Sequence, residues 1–154
     1  MNENHIVSSF DEDLAELNQL VARLGGLAEQ QLAAAVDALE NRDASSIDKI
    51  IAGDAELDQL EQNLNDRAIE VIAMRAPMAT DLRSILSAVK IATVLERVGD
   101  YSKNIAKRSL VIINEETNRA ETISLARIAN IVQGMLRQAL DAYATANADL
   151  AMEV

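Results

Sequence analysis

Leu14, Leu17, Val21, Leu24, Ala28, Leu32, Ala35 and Leu39 recur at three- and four-residue intervals with no proline among them. That spacing places all eight on one face of an α-helix, where they leave water only by packing on another apolar surface. The stripe predicts a first helix from about Phe10 to Asn41. Gly25-Gly26 interrupt it, each costing about 1 kcal/mol relative to alanine, and mark either a close helix contact or a soft point.

Other rods follow to cover it. Asn41, Asp43, Ser45 and Ser46 supply turn and cap chemistry, and Ile47, Ile50, Leu57, Leu60, Leu64, Ala68 and Val71 form the stripe of a second helix ending around Met74 to Arg75. Pro77 cannot continue that helix; Thr80 reads as an N-cap and Asp81 as an acid favoured by the helix dipole at the start of a third helix, Asp81 to Asn114. At ~1.5 Å per residue the third helix is roughly 50 Å long, matching its neighbours. The connections are too short for crossover strands, and no segment alternates with period two, so a sheet is excluded. An aromatic content of 2% with only five glycines and one proline fits a helical bundle.

After a polar linker from Glu115 to Glu121, a fourth helix is predicted from near Thr122 to about Asn147. At an offset of 104, Leu32, Ala35, Asp37, Ala38 and Ala44 recur as Leu136, Ala139, Asp141, Ala142 and Ala148, which suggests duplication. The predicted fold class is therefore all-α: an antiparallel three-helix bundle over residues 8–114, then, over residues 121–154, the first helix of a second, incomplete bundle. Counterparts of helices two and three would lie past Val154, so the fourth helix has to cover its apolar face on the first bundle, cover it on another protomer, or leave it loose.

The absence of cysteine excludes disulfides, iron-sulfur clusters, thiolate zinc sites and cysteine nucleophiles. A formal charge of -11 works against binding to phosphate backbones, so nucleic acid is not an expected partner. Apolar runs are shorter than the roughly 20 residues of a membrane span, and Met1-Asn2-Glu3-Asn4-His5 lacks the features of a secretory signal. The expected location is the cytoplasm, with membrane contact only peripheral, through partners. His5, the only histidine, falls in a tail expected to be mobile and without a role.

Candidate chemistry gathers at Glu96-Arg97-Val98-Gly99-Asp100. Glu96 and Asp100 lie one turn apart on one helix face, where like charges repel by a few tenths of a kcal/mol unless a cation neutralises them. On a helical wheel that face continues the line of Leu82, Leu86 and Val89. An antiparallel hairpin about Pro77 would set Asp58 opposite Glu96 and Asp54 opposite Asp100. Oxygen-only ligands of this kind suit magnesium, calcium, manganese or iron without selecting one. The plainer reading is a solvent-facing ladder neutralised by Lys103 and Lys107. Asp81 and Arg83 read as architecture at a proline turn; Lys90 and Arg97, near one side of the third helix, read as a partner-facing surface or, more plainly, as solvated residues. The chain has no Glu-x-x-His pair, no histidine placed to activate a serine or threonine, and no glycine-rich phosphate loop, so catalysis finds little support.

Two linked segments carry a family resemblance. Pro77-Met78-Ala79-Thr80-Asp81-Leu82-Arg83 is followed by Leu95-Glu96-Arg97-Val98-Gly99-Asp100, with Asn104-Ile105-Ala106 completing the pattern. They match P-x-A-x-D-L-R and L-E-R-[IV]-G-D-x-x-x-N-I-A, and the chain from about Phe10 onward resembles the PhoU family, whose members are built as two fused three-helix bundles. One complete bundle and one acidic motif are present here, as in a C-terminally truncated member. The resemblance implies a cytoplasmic, often dimeric, non-enzymatic adaptor. Such an adaptor links the ATPase subunit of the phosphate ABC transporter to a sensor histidine kinase, represses the phosphate-starvation response and restrains uptake. It also implies iron, zinc or another divalent metal at the acidic motif, here Glu96 and Asp100 with Asp54 and Asp58 of the neighbouring helix. Two rival readings are a metal-dependent enzyme on a helical bundle and a metal-free structural scaffold.

Overall fold

Three apolar stripes close on one another in the order the sequence presents them. The computed structural model describes the backbone of residues 3–115 and 119–154 and the side chains of residues 10–115 and 124–154. Its elements are α1 (Glu3–Glu40), a 3-10 turn (Ala44–Ser46), α2 (Ile47–Arg75), α3 (Thr80–Asn114), α4 (Arg119–Ala144) and α5 (Ala148–Met152). Among the described residues there is no strand, and no helix is long and apolar enough to cross a membrane. The first helix begins several residues before Phe10; the side chain of His5 and residues 116–118 of the expected linker lie outside the described residues.

α1, α2 and α3 form the bundle, with α1 packing most extensively on α3. The larger core joins Leu17, Val21, Leu24 and Ala28 of α1 to Leu57, Leu60, Leu64, Ala68 and Val71 of α2 and to Ile85, Ala88, Ala92 and Leu95 of α3. A smaller cluster of Ala35, Ala38, Ile47, Ile50 and Ala106 closes the other end. At the level between them the buried residues of α2 and α3 are Asp54, Gly99 and Ser102. The buried hydroxyls there do not go unpaired: Ser102 Oγ donates to the Val98 carbonyl and Ser109 Oγ to that of Ile105, each at 2.8 Å.

The buried stripe of α3 differs from the line drawn through Leu82, Leu86 and Val89. Ile85, Ala88, Ala92, Leu95 and Gly99 face the core, whereas Leu86 is exposed. Small residues are turned inward because α1 approaches α3 closely, leaving the larger side chains and Glu96 and Asp100 along the flank. The cap of α3 also differs: Ala79, not Thr80, is the N-cap, at φ 45, and makes no side-chain cap bond. Ala76, at φ 45, closes α2 in the left-handed conformation with its N–H on the Ile72 carbonyl, so two alanines of positive φ bracket Pro77.

The turn from α1 to α2 is built by Asp43. Its carboxylate accepts from Ser45 N–H at 3.0 Å, from Ser45 Oγ at 2.6 Å and from Ser46 Oγ, and these hydroxyl donors hold it below the ordinary carboxylate range. Arg42 donates to the carbonyls of Ile113 at 2.6 Å and Glu115 at 2.9 Å, satisfying the C-terminal end of α3 and tying it to this turn.

α4 lies antiparallel along α1, so the fourth helix packs on the first bundle. A Cβ on Gly25 would meet Leu140 Cδ2 at 2.6 Å, whereas one on Gly26 would meet open space, which makes Gly25 the point of close approach. Tyr143 donates its hydroxyl to Asn18 Oδ1 at 2.7 Å, and Arg137 pairs with Glu29. This contact covers one side of α4. Leu125, Ile128, Ile131, Val132 and Met135 on its other sides are between 42% and 58% exposed.

Candidate functional site

The α2–α3 packing that buries Leu57 and Leu95 carries Asp54, Asp58 and Glu61 of α2 alongside Glu96 and Asp100 of α3. Spacings of four and three residues put the three α2 acids on one face, and a spacing of four does the same for the α3 pair. Gly99 makes the close fit possible. A Cβ there would meet Leu57 Cδ1 at 2.5 Å and Asp54 Oδ1 at 3.6 Å. The glycine thus lets α3 settle against the buried carboxylate of α2.

Lys103 is the counter-ion of this seam. Its ammonium pairs with Asp54, whose side chain is 6% exposed, and with Asp100 at 3.2 Å. Those two bonds raise the Lys103 pKa above its ordinary range, Asp54 contributing most. Asp54 and Asp100 therefore do face one another across the helix pair, sharing one cation.

Among the described residues, neither Glu96 nor Asp58 is in an ion pair. The Glu96 carboxyl is pushed up first by desolvation and then by the negative charges of Asp100, Asp58, Glu61 and Asp54. Asp58 is likewise raised by desolvation and by Asp54, with Lys103 opposing. The four acids singled out from the sequence thus act on each other electrostatically. Glu61 is a fifth member, held by Thr93 Oγ1 at 3.1 Å and by Asn65 Nδ2 at 2.7 Å. Its spacing of three from Asp58 is the sequence signal that points to it. Lys107 is exposed and makes no part of the seam.

The donor chemistry, five carboxylates and a threonine hydroxyl, is that of a hard divalent cation. The geometry is another matter. Among the described residues no group of three His, Asp or Glu side chains is arranged to hold a metal ion, because Asp54 and Asp100 are turned onto the Lys103 ammonium.

A second buried acid emerges only from the structure. Asp13 of α1, 6% exposed, accepts from Arg67 at 2.6 Å and from Arg75 at 2.8 Å, while Arg67 also pairs with Glu16 and Glu70. The signal for it was an acid four residues before Leu17, on the line of the apolar stripe.

The segment that builds the seam lies within residues 21–109, which match the PhoU domain family. The chain belongs to the PhoU family. It is 42% identical over 150 residues to a protein of Caulobacter vibrioides (strain NA1000 / CB15N) named phosphate-specific transport system accessory protein PhoU homolog, a match covering 97% of this chain and 65% of that one. A protein of the same name from Rhizobium meliloti (strain 1021) is 40% identical over 154 residues, covering 100% of this chain and 65% of its relative. The crystal structure of PhoU from Pseudomonas aeruginosa superposes with a TM-score of 0.89 at 33% identity, covering 94% of this chain and 69% of that one. The PhoU bundle expected from the two motifs is thus the fold observed. This chain spans 65% of the length of the curated relatives.

Proposed function

We propose that this PhoU-family chain regulates phosphate transport and phosphate signalling as a cytoplasmic, non-enzymatic adaptor between the ATPase subunit of the phosphate ABC transporter and a sensor histidine kinase, working as a homodimer. The observation that carries this reading is the near full-length match of its sequence and fold to proteins named for accessory roles in phosphate-specific transport. The seam presents carboxylates, one ammonium and a threonine hydroxyl, charged and polar groups suited to meeting a partner or a cation. Membrane contact is then peripheral, through the partners.

The acidic seam is the regulatory element of this reading. Asp54, Asp58, Glu96 and Asp100 would hold iron, zinc or another divalent cation, which supplies charge neutralisation that one ammonium leaves incomplete. A specific observation also favours a metal-free seam, namely that Lys103 already engages two of the four acids. Elemental analysis of protein purified with and without chelator decides between them; metal at less than a tenth of an equivalent in both preparations removes the metal.

The adaptor reading is tested by co-purification with the transporter ATPase subunit and with the sensor kinase at high and low phosphate, a full-length relative being carried in parallel. Association that depends on phosphate is expected. Absence of association under both conditions, where the relative binds, overturns it.

A further inference from the structure

At ~100° per residue, the basic positions Arg83, Lys90, Arg97 and Arg108 of α3 fall within about 40° of one another around the helix. The first three stand seven residues apart. Leu86, Val94 and Tyr101 alternate with the cations and widen the stripe to about 80°. It runs for roughly 38 Å, carries no acid, and lies opposite the buried line of Ile85, Ala92 and Gly99.

All four cations are exposed, and the three apolar residues between them are 44% to 59% exposed. The ion pairs among the described residues use Arg23, Arg67, Arg75, Lys103 and Arg137, and none of these four. A helix face kept only for solubility mixes the two signs at spacings of three and four residues. This one carries a single sign, and it does so in a chain of formal charge -11. Its partner therefore has to bring negative charge in a line, with apolar area to meet Leu86, Val94 and Tyr101.

An anionic bilayer fits that description poorly. It is a broad plane, and it would meet Glu96 and Asp100 on the flank of the same helix together with the net negative charge of the chain. A second helix, about 10 Å across, covers the stripe alone. Acids at intervals of seven along it meet Arg83, Lys90 and Arg97 in register.

We propose that the outward face of α3 is the docking site for an amphipathic helix of a partner protein, one that carries carboxylates at seven-residue spacing and apolar side chains between them. The inference rests on the adaptor reading for the existence of a partner, and it supplies that reading with a surface and a chemistry.

The probe is a labelled synthetic helix of about 28 residues, with glutamate once in every heptad and leucine three and four positions on. It is added to the full chain without phosphate, transporter or kinase, and binding is read by fluorescence anisotropy. Saturable one-to-one binding is expected, about tenfold tighter than that of a scrambled peptide of equal composition and weaker as salt is raised. Arg97→Glu should weaken it about tenfold and Lys90→Glu with Arg97→Glu about 100-fold. Tyr101→Ala should weaken it severalfold. Arg127→Glu, at an exposed position of α4, should leave it unchanged. A peptide with lysine in place of glutamate should bind the double variant, which also shows that the variant is folded. Four results overturn the proposal: no saturable binding, equal binding of the scrambled peptide, vesicles of phosphatidylserine and phosphatidylcholine held through Lys90 and Arg97 while the peptide fails to compete, or a dimer of this chain that the double variant dissociates. Peptide failure with phosphate-dependent co-purification intact removes the surface and keeps the adaptor. Peptide binding without co-purification removes the named partners and keeps the surface.

Discussion

Near the α2–α3 turn, three carboxylates of α1 and α2, led by buried Asp13, are matched by the guanidiniums of Arg67 and Arg75; midway along α2 and α3, two of five carboxylates, Asp54 and Asp100, pair with the Lys103 ammonium. The first network spends its charge on holding α1 against α2, and its acids are directly paired. The second leaves Glu96 and Asp58 raised above their ordinary pKa by burial and by each other's company, so the fold tolerates it at a cost. A compensated buried acid is an anchor. An under-compensated cluster beside a half-buried lysine is a place where added charge changes stability.

The contrast is broken most forcefully at Asp13. Asp13→Ala leaves two guanidiniums without their shared, 9% exposed partner and should destabilise the bundle by about 3 kcal/mol, measured by urea unfolding. A loss below ~1 kcal/mol would show that the network is ornamental. Lys103→Met should cost less, about 2 kcal/mol at pH 7, because the ammonium is 27% exposed and partly screened. The lysine pKa is raised in the native state, so this stabilisation is complete below the ordinary lysine value of ~10.4 and is lost only as pH climbs through the higher folded value. The deficit of the variant should therefore stay level from pH 7 to 10, and millimolar manganese should stabilise it more than the parent.

Gly99→Ala sharpens the packing side of the comparison. The new methyl meets Leu57 and is offset in part by the better helix propensity of alanine, for a net loss of about 1 kcal/mol; a stabilised variant would mean that Leu57 yields freely. The smallest effect has the opposite sign. With chelator present, Glu96→Gln should stabilise by a few tenths of a kcal/mol at pH 7. The Glu96 carboxyl binds its proton more tightly in the folded state, so its unfavourable charge is fully felt above the raised pKa and disappears as pH falls below the ordinary ~4.3. The advantage of the glutamine should vanish by about pH 4, and a variant less stable than the parent at pH 7 would contradict an under-compensated seam.

Much of this was legible in advance. The stripes from Leu17 to Leu39 and from Ile47 to Val71 are buried as their spacing requires, and Asp54 shares a cation with Asp100 as the hairpin register required. The features that the sequence hides depend on helix rotation and on contacts distant along the chain. The inward face of α3 could not be told from its flank, since alanine, glycine and serine give a weak periodic signal beside Leu82, Leu86 and Val89. Lys103 was visible as a neighbour of Asp100 three residues away, but its bond to Asp54 spans 49 residues.

The sequence by itself determined the helices, their antiparallel order and which acids could meet, because helical periodicity and short connections leave few alternatives. Only the tertiary structure decided how those parts were used: that Gly25 seats α4 on α1 through Leu140, that Asp13 is an anchor and not surface, and that Asp54 is buried on a lysine while Glu96 is left short of charge. The reason is physical. Periodicity is a property of neighbours along the chain, whereas burial and charge balance are set by distances between helices, which no single helix encodes.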